Sequence, residues 1–456
     1  MKIRFWGTRG SVATPGPGTT YFGGNTSCVE VTTEDGGHLI LDCGTGARQL
    51  GNELLTAASK PIQGSILLGH THWDHIQGFP FFKPVFVPGN IFSVWAPQGG
   101  SRSLQETLSG QMEFTYFPVE LGQLPAQITY HELAEGTYEI GGTRVTTQYL
   151  NHPAVTLGYR IEADGAAIVY LTDHEPFSDK LWRGDADPGH IDSMVHEGDR
   201  RHARFMAGAD LVIHDAQYTP EEYESRKTWG HSTYEYVVDV AAAAGVKRIA
   251  LTHHDPDHND VLVADIEQRA RAEAEKRGSP IEVFCAHEGG EYIIRGKQFR
   301  PTVAREAGTA PAAPPLAGAR LLVVDDDLLL RRLAVKVLAK YGHTVSEAEN
   351  GREALRIIDR QPPDLVVLDL EMPEMPGLEV LRALRSQAAT AHLPVLILTA
   401  SGNEAVTSAS FEAGATDYLM KPFSIPQLTA RVHACLERAA QPRGRTRAAS
   451  HRESDT

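Results

Sequence analysis

Short apolar runs, each ending at glycine or a polar residue, recur through the first 300 residues of the chain. They read KIRFWG, SCVEVTT, HLILDCG and SILLGH, then TRVTTQYL, LGYRIEA, AAIVYLTD, ADLVIHD, RIALTHHD, IEVFCA and EYIIRG. Runs of this kind are typical of β-strands. Helical patterns lie between some of them, at 232–245 and 260–277. Many strands with interspersed helices predict a layered α/β architecture for this part of the chain.

From Arg320 onward, apolar strands alternate with amphipathic helices. The strand-like runs are RLLVVDDD, HTVSEAE, DLVVLDLEMPEMPG, LPVLILTA and TDYLMKPF. Helical patterns cover 328–341, 351–360 and about 425–438. Continuous Val, Ile and Leu in strands between helices indicates a parallel, doubly wound sheet.

A segment without hydrophobic period separates these two patterns. It reads PTVAREAGTAPAAPPLAGA and has the Ala, Pro and Gly content of a linker. The end of the chain is polar, and we expect it to be disordered. The predicted organisation is a first domain, a linker, a second domain and a tail, at 1–300, 301–318, 319–440 and 441–456.

Composition narrows the class of protein. The 456-residue chain has a formal net charge of −15, which argues against a general nucleic-acid binder because phosphate contacts need clustered Lys and Arg. No apolar run approaches the roughly 18 residues that cross a bilayer, and the N-terminus lacks the apolar core of a signal peptide. The four cysteines form no C-x-x-C pair. We therefore expect a cytoplasmic protein with no membrane segment, disulfide framework or thiolate zinc site.

The run SILLGH leads directly into residues that commonly bind metal ions. They are His70, His72, Asp74 and His75. The two histidines at the strand end lie two residues apart, so they can address one metal, and the pair at the following turn can address a second. Neutral imidazole suits zinc, and a carboxylate supplies compensating charge. Four ligands cannot fill two sites, so further ligands are expected at other strand ends.

Other strand ends carry suitable residues. They are His152 in YLNHPA, Asp173 in VYLTDHE, and His253 and His254 in IALTHHDPDH. A single histidine or aspartate in such a place is more often a cap or a satisfied polar residue. Together with the residues at 70–75, however, these become candidate ligands because side chains at the ends of different strands can converge.

This order of residues resembles the metallo-β-lactamase superfamily over roughly residues 1–295. The resemblance implies an αββα sandwich with a dinuclear metal centre, usually of zinc, with manganese as the alternative. One metal would be held by His70, His72 and His152 and the other by Asp74, His75 and a final histidine, with Asp173 bridging them. We take His253 as that final ligand because it directly follows RIALT, and His254 is the alternative.

Three further segments resemble ribonuclease Z and related phosphodiesterases. The first is FWGTRGSVATPG with LILDCGTGARQL, and the others are GADLVIHDAQYTPEEY and GHSTYEYVVDVAAAAGVKRIALTHHD. This set is absent from thiol-ester hydrolases and true β-lactamases, so the resemblance favours phosphodiester chemistry. It implies a catalytic histidine at His214 and a further functional histidine at His231, and we count Asp74 with these catalytic residues.

The chemistry of a phosphodiester suggests roles for these histidines. Two metals about 3.5–4 Å apart can activate water and neutralise phosphate oxygens. The leaving alkoxide needs a proton, and His214 is the expected general acid, the alternative being a residue that only orients a ligand. His231 would either orient a ligand or hold the phosphate.

The spacing of the candidate ligands bears on the substrate. Only 21 positions separate His152 from Asp173, which leaves no room for the extended arm with which ribonuclease Z enzymes hold transfer RNA. With the net charge, this favours a small or cyclic phosphodiester such as a cyclic nucleotide. A ribonuclease Z-like RNA endonuclease is the alternative, and a non-catalytic signalling or binding module is a further one.

The second domain has polar residues at successive strand ends, where function sits in doubly wound sheets. They are Asp325, Asp326, Asp369, Thr399 and Lys421. The set resembles the (βα)5 receiver domain of two-component response regulators, over 319–438. The resemblance implies that Asp369 accepts a phosphoryl group, as a carboxylate nucleophile can.

The same resemblance assigns the remaining residues of this domain. Asp325, Asp326 and the backbone carbonyl of Glu371 would bind Mg²⁺. Thr399, Tyr418 and Lys421 would respond to the phosphoryl group. A sensor histidine kinase is the implied partner, and phosphorylation is expected to govern the first domain. Activation, inhibition and relocation all remain open, as does a change in homodimer pairing.

Overall fold

The computed structural model describes residues 1–98, 102–183, 189–294, 318–399, 410, 413–421 and 425–440. These residues form two compact units, which are described separately below. The predicted tail and all but Gly318 of the predicted linker lie outside the described residues. The domain boundaries proposed above therefore stay a prediction.

The first unit contains two seven-stranded sheets. The first sheet has the spatial order β14-β1-β2-β3-β4-β5-β6. Its strands are β1 (Lys2–Gly7), β2 (Cys28–Thr32), β3 (His38–Leu41), β4 (Gln63–Leu67), β5 (Ile91–Pro97), β6 (Gln127–Leu133) and β14 (Glu291–Ile293). Strands β3 to β6 run parallel to one another, while β2 is antiparallel to both of its neighbours.

The second sheet runs in chain order, β13-β12-β11-β10-β9-β8-β7. Its strands are β7 (Gly136–Ile140), β8 (Thr143–Tyr149), β9 (Leu157–Ala163), β10 (Ala166–Leu171), β11 (Leu211–Asp215), β12 (Arg248–Thr252) and β13 (Glu282–Cys285). An antiparallel meander from β7 to β10 continues into four parallel strands, β10 to β13. The carboxyl ends of these parallel strands therefore share one edge.

The first unit also contains helices, the longer of which pack on the outer faces of the two sheets. They are α1 (Ala47–Ala57), α2 (Trp73–Ile76), α3 (Leu104–Gln111), α4 (Glu197–Met206), α5 (Pro220–Tyr223), α6 (Tyr234–Ala243) and α7 (Asp260–Lys276). In α7, the buried Val263, Ile266 and Ala270 recur every three or four residues and make one apolar stripe. The side chain of Asn259 caps this helix by accepting from the Leu262 amide.

Three hydrophobic clusters hold these layers together. One contains side chains of both sheets, such as Leu39 and Ile168, and fills the space between them. A second joins the second sheet to the helices through residues such as Val238 and Val263. A third lies on the other face of the first sheet, beneath α1. This is an αββα sandwich, as expected from the sequence.

The second unit is a five-stranded parallel sheet of order β16-β15-β17-β18-β19. Its strands are β15 (Arg320–Val324), β16 (Thr344–Ala348), β17 (Leu365–Asp369), β18 (Val395–Thr399) and β19 (Asp417–Met420). Its helices are α8 (Leu328–Lys340), α9 (Gly351–Arg360), α10 (Gly377–Ser386) and α11 (Ile425–Ala440). The doubly wound (βα)5 prediction is confirmed.

Candidate metal centre and receiver site

The predicted ligands converge from both sheets of the first unit. His70, Asp74 and His75 follow β4, the last two within the single turn of α2 rather than in an irregular turn. From the second sheet come His152 after β8, Asp173 after β10 and His253 after β12. The strand ends thus bring together residues that lie far apart along the chain.

The Asp173 carboxylate lies at the middle of this cluster. Its Oδ1 is 3.9 Å from Nε2 of His70 and 3.8 Å from Nε2 of His152. Its Oδ2 is 3.1 Å from Nε2 of His75 and 3.5 Å from Nε2 of His253. Each oxygen therefore faces a different group of histidines, as a bridging carboxylate would.

The other ligand atoms fall into two groups. His70, His72 and His152 offer nitrogens that all lie within 4.8 Å of one another, and Nε2 of His152 is 3.4 Å from Nδ1 of His72. In the second group, Oδ2 of Asp74 is 3.2 Å from Nε2 of both His75 and His253. This division matches the one implied by the family resemblance.

Several polar atoms in the cluster are buried without a hydrogen bond. They are both ring nitrogens of His70, together with Nε2 of His75 and Oδ2 of Asp173, which lie 3.1 Å apart without the alignment of a hydrogen bond. Polar groups left unsatisfied in a protein interior are costly and rare. Divalent cations among these nitrogen and oxygen atoms would satisfy them, and the donor set suits zinc or manganese. The residues present therefore fit a dinuclear metal centre.

Burial and nearby carboxylates shift the pKa values of the clustered histidines in two directions. Burial lowers the pKa of His70 well below its ordinary value and that of His152 to about 3, which keeps both imidazoles neutral and ready to bind a metal. Burial alone would also lower the pKa of His75 and His253. In these two, however, Asp74 and Asp173 outweigh it, raising the pKa of His75 well above its ordinary value and that of His253 to about 9.

The pKa values of the two carboxyl groups, Asp74 and Asp173, are lowered by these same histidines. Burial alone would raise the pKa of Asp74, but His75 and His253 hold it well below its usual range. The pKa of Asp173 is lowered in the same way, again against burial, with His253 the largest contributor. Metal binding would therefore exchange protons on imidazole for cations.

Hydrogen bonds behind the ligands fix their ring orientation. Asp42, at the end of β3, accepts from Nδ1 of His75 at 2.6 Å and from the Tyr170 hydroxyl at 2.7 Å. Its other oxygen accepts from the Gly69 amide at 2.7 Å. A carboxylate behind a ligating histidine sets its tautomer and turns the free nitrogen toward the metal. The sequence analysis missed Asp42.

Two other ligands are held in the same manner. Nδ1 of His253 donates to Oε1 of Gln217 at 2.9 Å, and Nδ1 of His152 donates to the Gly230 carbonyl at 3.0 Å. The remaining ring nitrogen of each histidine is the one nearest Asp173. In contrast, Nε2 of His254 bonds the Ala286 carbonyl at 2.9 Å, so this residue lies outside the cluster.

Left-handed backbone conformations are concentrated at this site. Asp42, Asp173 and His253 have φ values of 59°, 61° and 61°. Ser11, with φ of 59°, donates its amide to Oδ2 of Asp74 at 2.8 Å. Such conformations are uncommon outside glycine and cluster at functional sites, where surrounding contacts hold them.

The structure also brings His231 to the centre, together with an aspartate that the sequence analysis missed. Nδ1 of His231 lies 2.9 Å from Oδ2 of Asp215 and 3.8 Å from Oδ1 of Asp173. The Asp215 carboxylate also accepts from the amides of His174 and Gln217, at 3.2 and 2.9 Å. A firmly held carboxylate thus orients the His231 ring.

His214, the expected general acid, is not brought to the centre. It lies beside Asp215 on β11, and successive side chains of a strand point to opposite faces. Its Nε2 is 2.8 Å from Nε2 of His202 on α4, while its Nδ1 donates to the Asp215 carbonyl at 2.7 Å. Burial lowers the pKa of His214. The side chain therefore packs behind the strand.

The receiver residues meet at the carboxyl edge of the second unit. Nζ of Lys421 lies 2.7 Å from Oδ2 of Asp325 and 3.0 Å from Oδ2 of Asp369. Burial alone would lower the pKa of Lys421, but its contacts with the two carboxylates raise it. The pKa of Asp325 is raised by burial, which Lys421 opposes. One cation thus joins two buried carboxylates.

The other receiver residues surround this pair. The Glu371 amide lies 3.4 Å from Oδ1 of Asp369, Thr399 ends β18, and Tyr418 lies on β19. Asp326 is exposed beside Asp325. The phosphoacceptor, magnesium-binding and switch residues implied by the resemblance thus lie at one edge of the sheet, where their roles stay a prediction.

Two family models match the chain. Residues 38–254 match the Beta-lactamase superfamily domain, and residues 321–433 match the Response regulator receiver domain. The protein thus joins a β-lactamase superfamily domain to a response regulator receiver domain. The β-lactamase superfamily domain indicates a candidate metal-dependent hydrolase and therefore a bound metal. The receiver domain indicates a sensor kinase as partner. No described helix combines the length and apolar character needed to span a bilayer.

Individual proteins are similar to parts of the chain. Response regulator MprA of Mycolicibacterium vanbaalenii is 44% identical over 136 residues, which is 30% of this chain and 58% of the relative. Transcriptional regulatory protein ResD of Bacillus subtilis is 44% identical over 122 residues, 27% of this chain and 50% of the relative. The chain therefore spans about half the length of the curated relatives it matches.

Solved structures are similar to each unit. A response regulator from Chloroflexus aurantiacus is 38% identical, covers 26% of this chain and 98% of its own, and gives a TM-score of 0.26. The metallo-beta-lactamase fold protein YhfI from Bacillus subtilis is 16% identical, covers 64% of this chain and 99% of its own, and gives a TM-score of 0.44.

Proposed function

We propose that this protein is a cytoplasmic response regulator whose output is a metal-dependent phosphodiesterase acting on a small or cyclic phosphodiester. The observation that supports this most is the convergence of six other candidate ligands around Asp173, beside the Asp215–His231 pair. A domain that only binds a partner has little need of a complete ligand set and a proton donor together.

The ligand groups suggest where two cations would be held. His70, His72 and His152 would hold one, and Asp74, His75 and His253 the other, with Asp173 between them. When bound, such a pair polarises phosphoryl oxygens and supplies a nucleophile at neutral pH. Zinc suits this nitrogen-rich donor set, and manganese is the alternative.

The protein's own residues shape the space around the reacting group. Most of the ligands are buried, which limits access of bulk water and strengthens electrostatic interactions there. His72 is the exposed ligand, so a substrate would enter from its side. The Ser11 amide and the Asp42 carboxylate hold Asp74 and His75 in position from behind.

We assign proton transfer to His231 rather than to His214. Nδ1 of His231 donates to Asp215, which leaves Nε2 to deliver a proton to the departing alkoxide. The Asp215 carboxylate stabilises the imidazolium and holds the correct tautomer. An aspartate hydrogen-bonded to a catalytic histidine plays the same part in other enzymes. Phosphodiester cleavage needs such a donor because an alkoxide is a poor leaving group.

The receiver would control this activity through Asp369. An acyl phosphate there adds roughly −1.5 to −2 of charge, if it resembles other phosphorylated side chains. Lys421 already bridges Asp369 and Asp325, so it would turn toward the new charge, while Asp325, Asp326 and the Glu371 carbonyl would hold Mg²⁺. Rearrangement of Thr399 and Tyr418 would carry the change to the domain surface. A sensor histidine kinase is the proposed phosphodonor.

A turnover screen tests the proposed reaction. Zinc- or manganese-loaded protein would be assayed with bis-p-nitrophenyl phosphate, cyclic nucleotides, precursor transfer RNA and p-nitrophenyl acetate. We expect hydrolysis of the first two classes and its loss in the His72→Ala/Asp74→Ala double variant. Cleavage of the RNA alone would favour the endonuclease, and cleavage of the acetate alone would contradict phosphodiester chemistry. Absence of any turnover would favour the binding module.

A further inference from the structure

Two large aromatic side chains are exposed next to the metal centre. All five tryptophans of the chain lie within the described residues, and Trp6, Trp95 and Trp182 are buried or half-buried. Trp73 is 74% exposed and Trp229 is 60% exposed. Leaving an indole in water forfeits a large burial free energy, so two such residues at one site call for an explanation.

Both exposed tryptophans adjoin residues of the centre. Trp73 lies between the ligands His72 and Asp74, and both it and His72 are exposed to solvent. Trp229 directly precedes Gly230, whose carbonyl accepts from the ligand His152. The next residue is His231, the proposed proton donor. Each tryptophan therefore lies within one or two residues, along the chain, of a residue of the centre.

The backbone beside Trp229 is fixed by a buried carboxylate. Glu175, only 9% exposed, accepts from the amide of Thr228 at 2.7 Å and from the amide of Gly230 at 2.9 Å. It also accepts from the Tyr223 hydroxyl at 3.0 Å. These bonds lie on both sides of Trp229, so the backbone that carries this tryptophan is held in place.

Backbone geometry at this loop agrees with a fixed position. Thr228 has φ of 73°, which is strained for a β-branched residue and persists only where neighbouring contacts impose it. Gly230 has φ of 91°, and a Cβ there would lie 2.1 Å from Nδ1 of His152. The loop is therefore pressed against a metal ligand.

We infer that Trp73 and Trp229 form an aromatic rim that stacks on the nucleobase of a mononucleotide-sized phosphodiester substrate. The inference rests on the proposed function and names the substrate class for it. A phosphate at the cations would leave the rest of the molecule at the mouth, beside the two indoles. Stacking of a base on an aromatic side chain is worth about 5- to 150-fold in affinity.

The surroundings of the rim favour a nucleotide over a membrane or a nucleic-acid strand. Trp73 lies between the polar residues His72 and Asp74. The basic residues that precede Trp229 are ion-paired, Arg226 with Asp255 and Lys227 with Asp179 and Glu224. Membrane-binding loops instead combine aromatic residues with neighbouring apolar and basic ones. The net charge of −15 also disfavours an anionic bilayer or a long polyphosphate.

A pair of ligands that differ only in the base tests the rim. Metal-loaded wild-type protein would be titrated calorimetrically with adenosine monophosphate and with ribose 5-phosphate. We expect the nucleotide to bind about 5- to 150-fold more tightly. Trp73→Ala and Trp229→Ala should each lose much of that preference without weakening ribose 5-phosphate, and Trp229→Phe should keep part of it. Phe114→Ala, which removes a 77% exposed aromatic from the segment after α3, is the matched control and should change neither affinity.

Equal affinity of the wild type for the two ligands would overturn the inference, as would an unchanged preference in both tryptophan variants. Tryptophan variants that lose only binding to phosphatidylcholine or phosphatidylglycerol vesicles would identify a membrane contact instead. These titrations need no turnover. A base preference without hydrolysis would therefore count against the proposed reaction alone, and hydrolysis without a base preference would count against the rim alone.

Discussion

The assignment of proton transfer to His231 gives a sharp comparison with His214, because both are histidines near β11 but only one meets the centre. In His231→Ala the proton donor is lost, while Asp215 keeps its bonds from the His174 and Gln217 amides, so the local fold should survive. In His214→Ala, a buried partner of His202 is lost without any change at the centre.

The expected magnitude follows from the role and the burial of His231. A positioned general acid contributes about 10²–10⁴ in rate, or about 3–5 kcal/mol of transition-state free energy. His231 is only 8% exposed, so water cannot readily replace it, and we expect a loss of kcat toward the upper end on a substrate with an alkoxide leaving group. A p-nitrophenolate needs little protonation, so the loss there should stay below about tenfold.

The assay is steady-state kinetics of both variants on a cyclic nucleotide and on bis-p-nitrophenyl phosphate, with metal content measured in parallel. His214→Ala should lower thermal stability while leaving the ratio of the two rates unchanged. Equal losses on both substrates for His231→Ala would refute the proton-transfer role and indicate an effect on binding or orientation. A leaving-group-dependent loss in His214→Ala would restore the assignment made from sequence.

Two other predictions concern the metal ligands. Elemental analysis should find about two transition-metal ions per chain in the wild type and few in His72→Ala/Asp74→Ala, and full occupancy in that double variant would contradict the ligand assignment. For the metal-free protein, the pKa of His253 is raised from its ordinary value of 6.5 to about 9, so the stabilisation from its protonated form is complete below pH 6.5 and is lost as the pH rises through 9. Urea unfolding should therefore show that the metal-free protein loses stability over that pH window. The metal-loaded protein should lose less, since metal binding replaces the proton. An equal change of unfolding free energy with pH in the two forms would contradict this.

The ligand set could be predicted from sequence because its members end buried strands. Asp173 and His253 follow the apolar runs AAIVYL and RIALT, while His152 follows TRVTTQY, a mostly polar strand. Asp173 and His253 follow parallel strands of one sheet, so their proximity follows from topology, whereas His152 follows an antiparallel strand and the residues at 70–75 belong to the other sheet. The receiver sheet was predictable for the same reason, since its central strands are continuously apolar.

The placement of His214 away from the centre has a specific physical cause. His214 and Asp215 are adjacent, and a shift of one residue in a strand reverses which face a side chain occupies. Strand β11 has another strand on each side, and all five of its residues, LVIHD, are buried. No alternation of buried and exposed residues therefore marks the face that meets the centre. Asp42 and Asp215 nevertheless end apolar strands as Asp173 does, and that shared position is a signal that could have found them.

Other features depend on contacts between distant segments. Glu175 bonds the amides of Thr228 and Gly230, more than 50 residues away along the chain, so no local sequence pattern predicts this contact. The strands β5, β6 and β7 were also not predicted individually. In β6, exposed and half-buried residues alternate along an edge strand, so it lacks the apolar run that identifies a buried one.

The central claim is that the receiver controls a phosphodiesterase in the same chain, and one measurement addresses it directly. Metal-loaded full-length protein would be assayed for phosphodiester hydrolysis, with sedimentation in parallel, before and after beryllofluoride treatment with Mg²⁺, in the wild type and in Asp369→Asn. Coupling of typical size predicts a change of about 5- to 150-fold in the wild-type rate, or a shift in its oligomeric state, and no response in Asp369→Asn. Identical behaviour of the two proteins under both conditions would contradict the account.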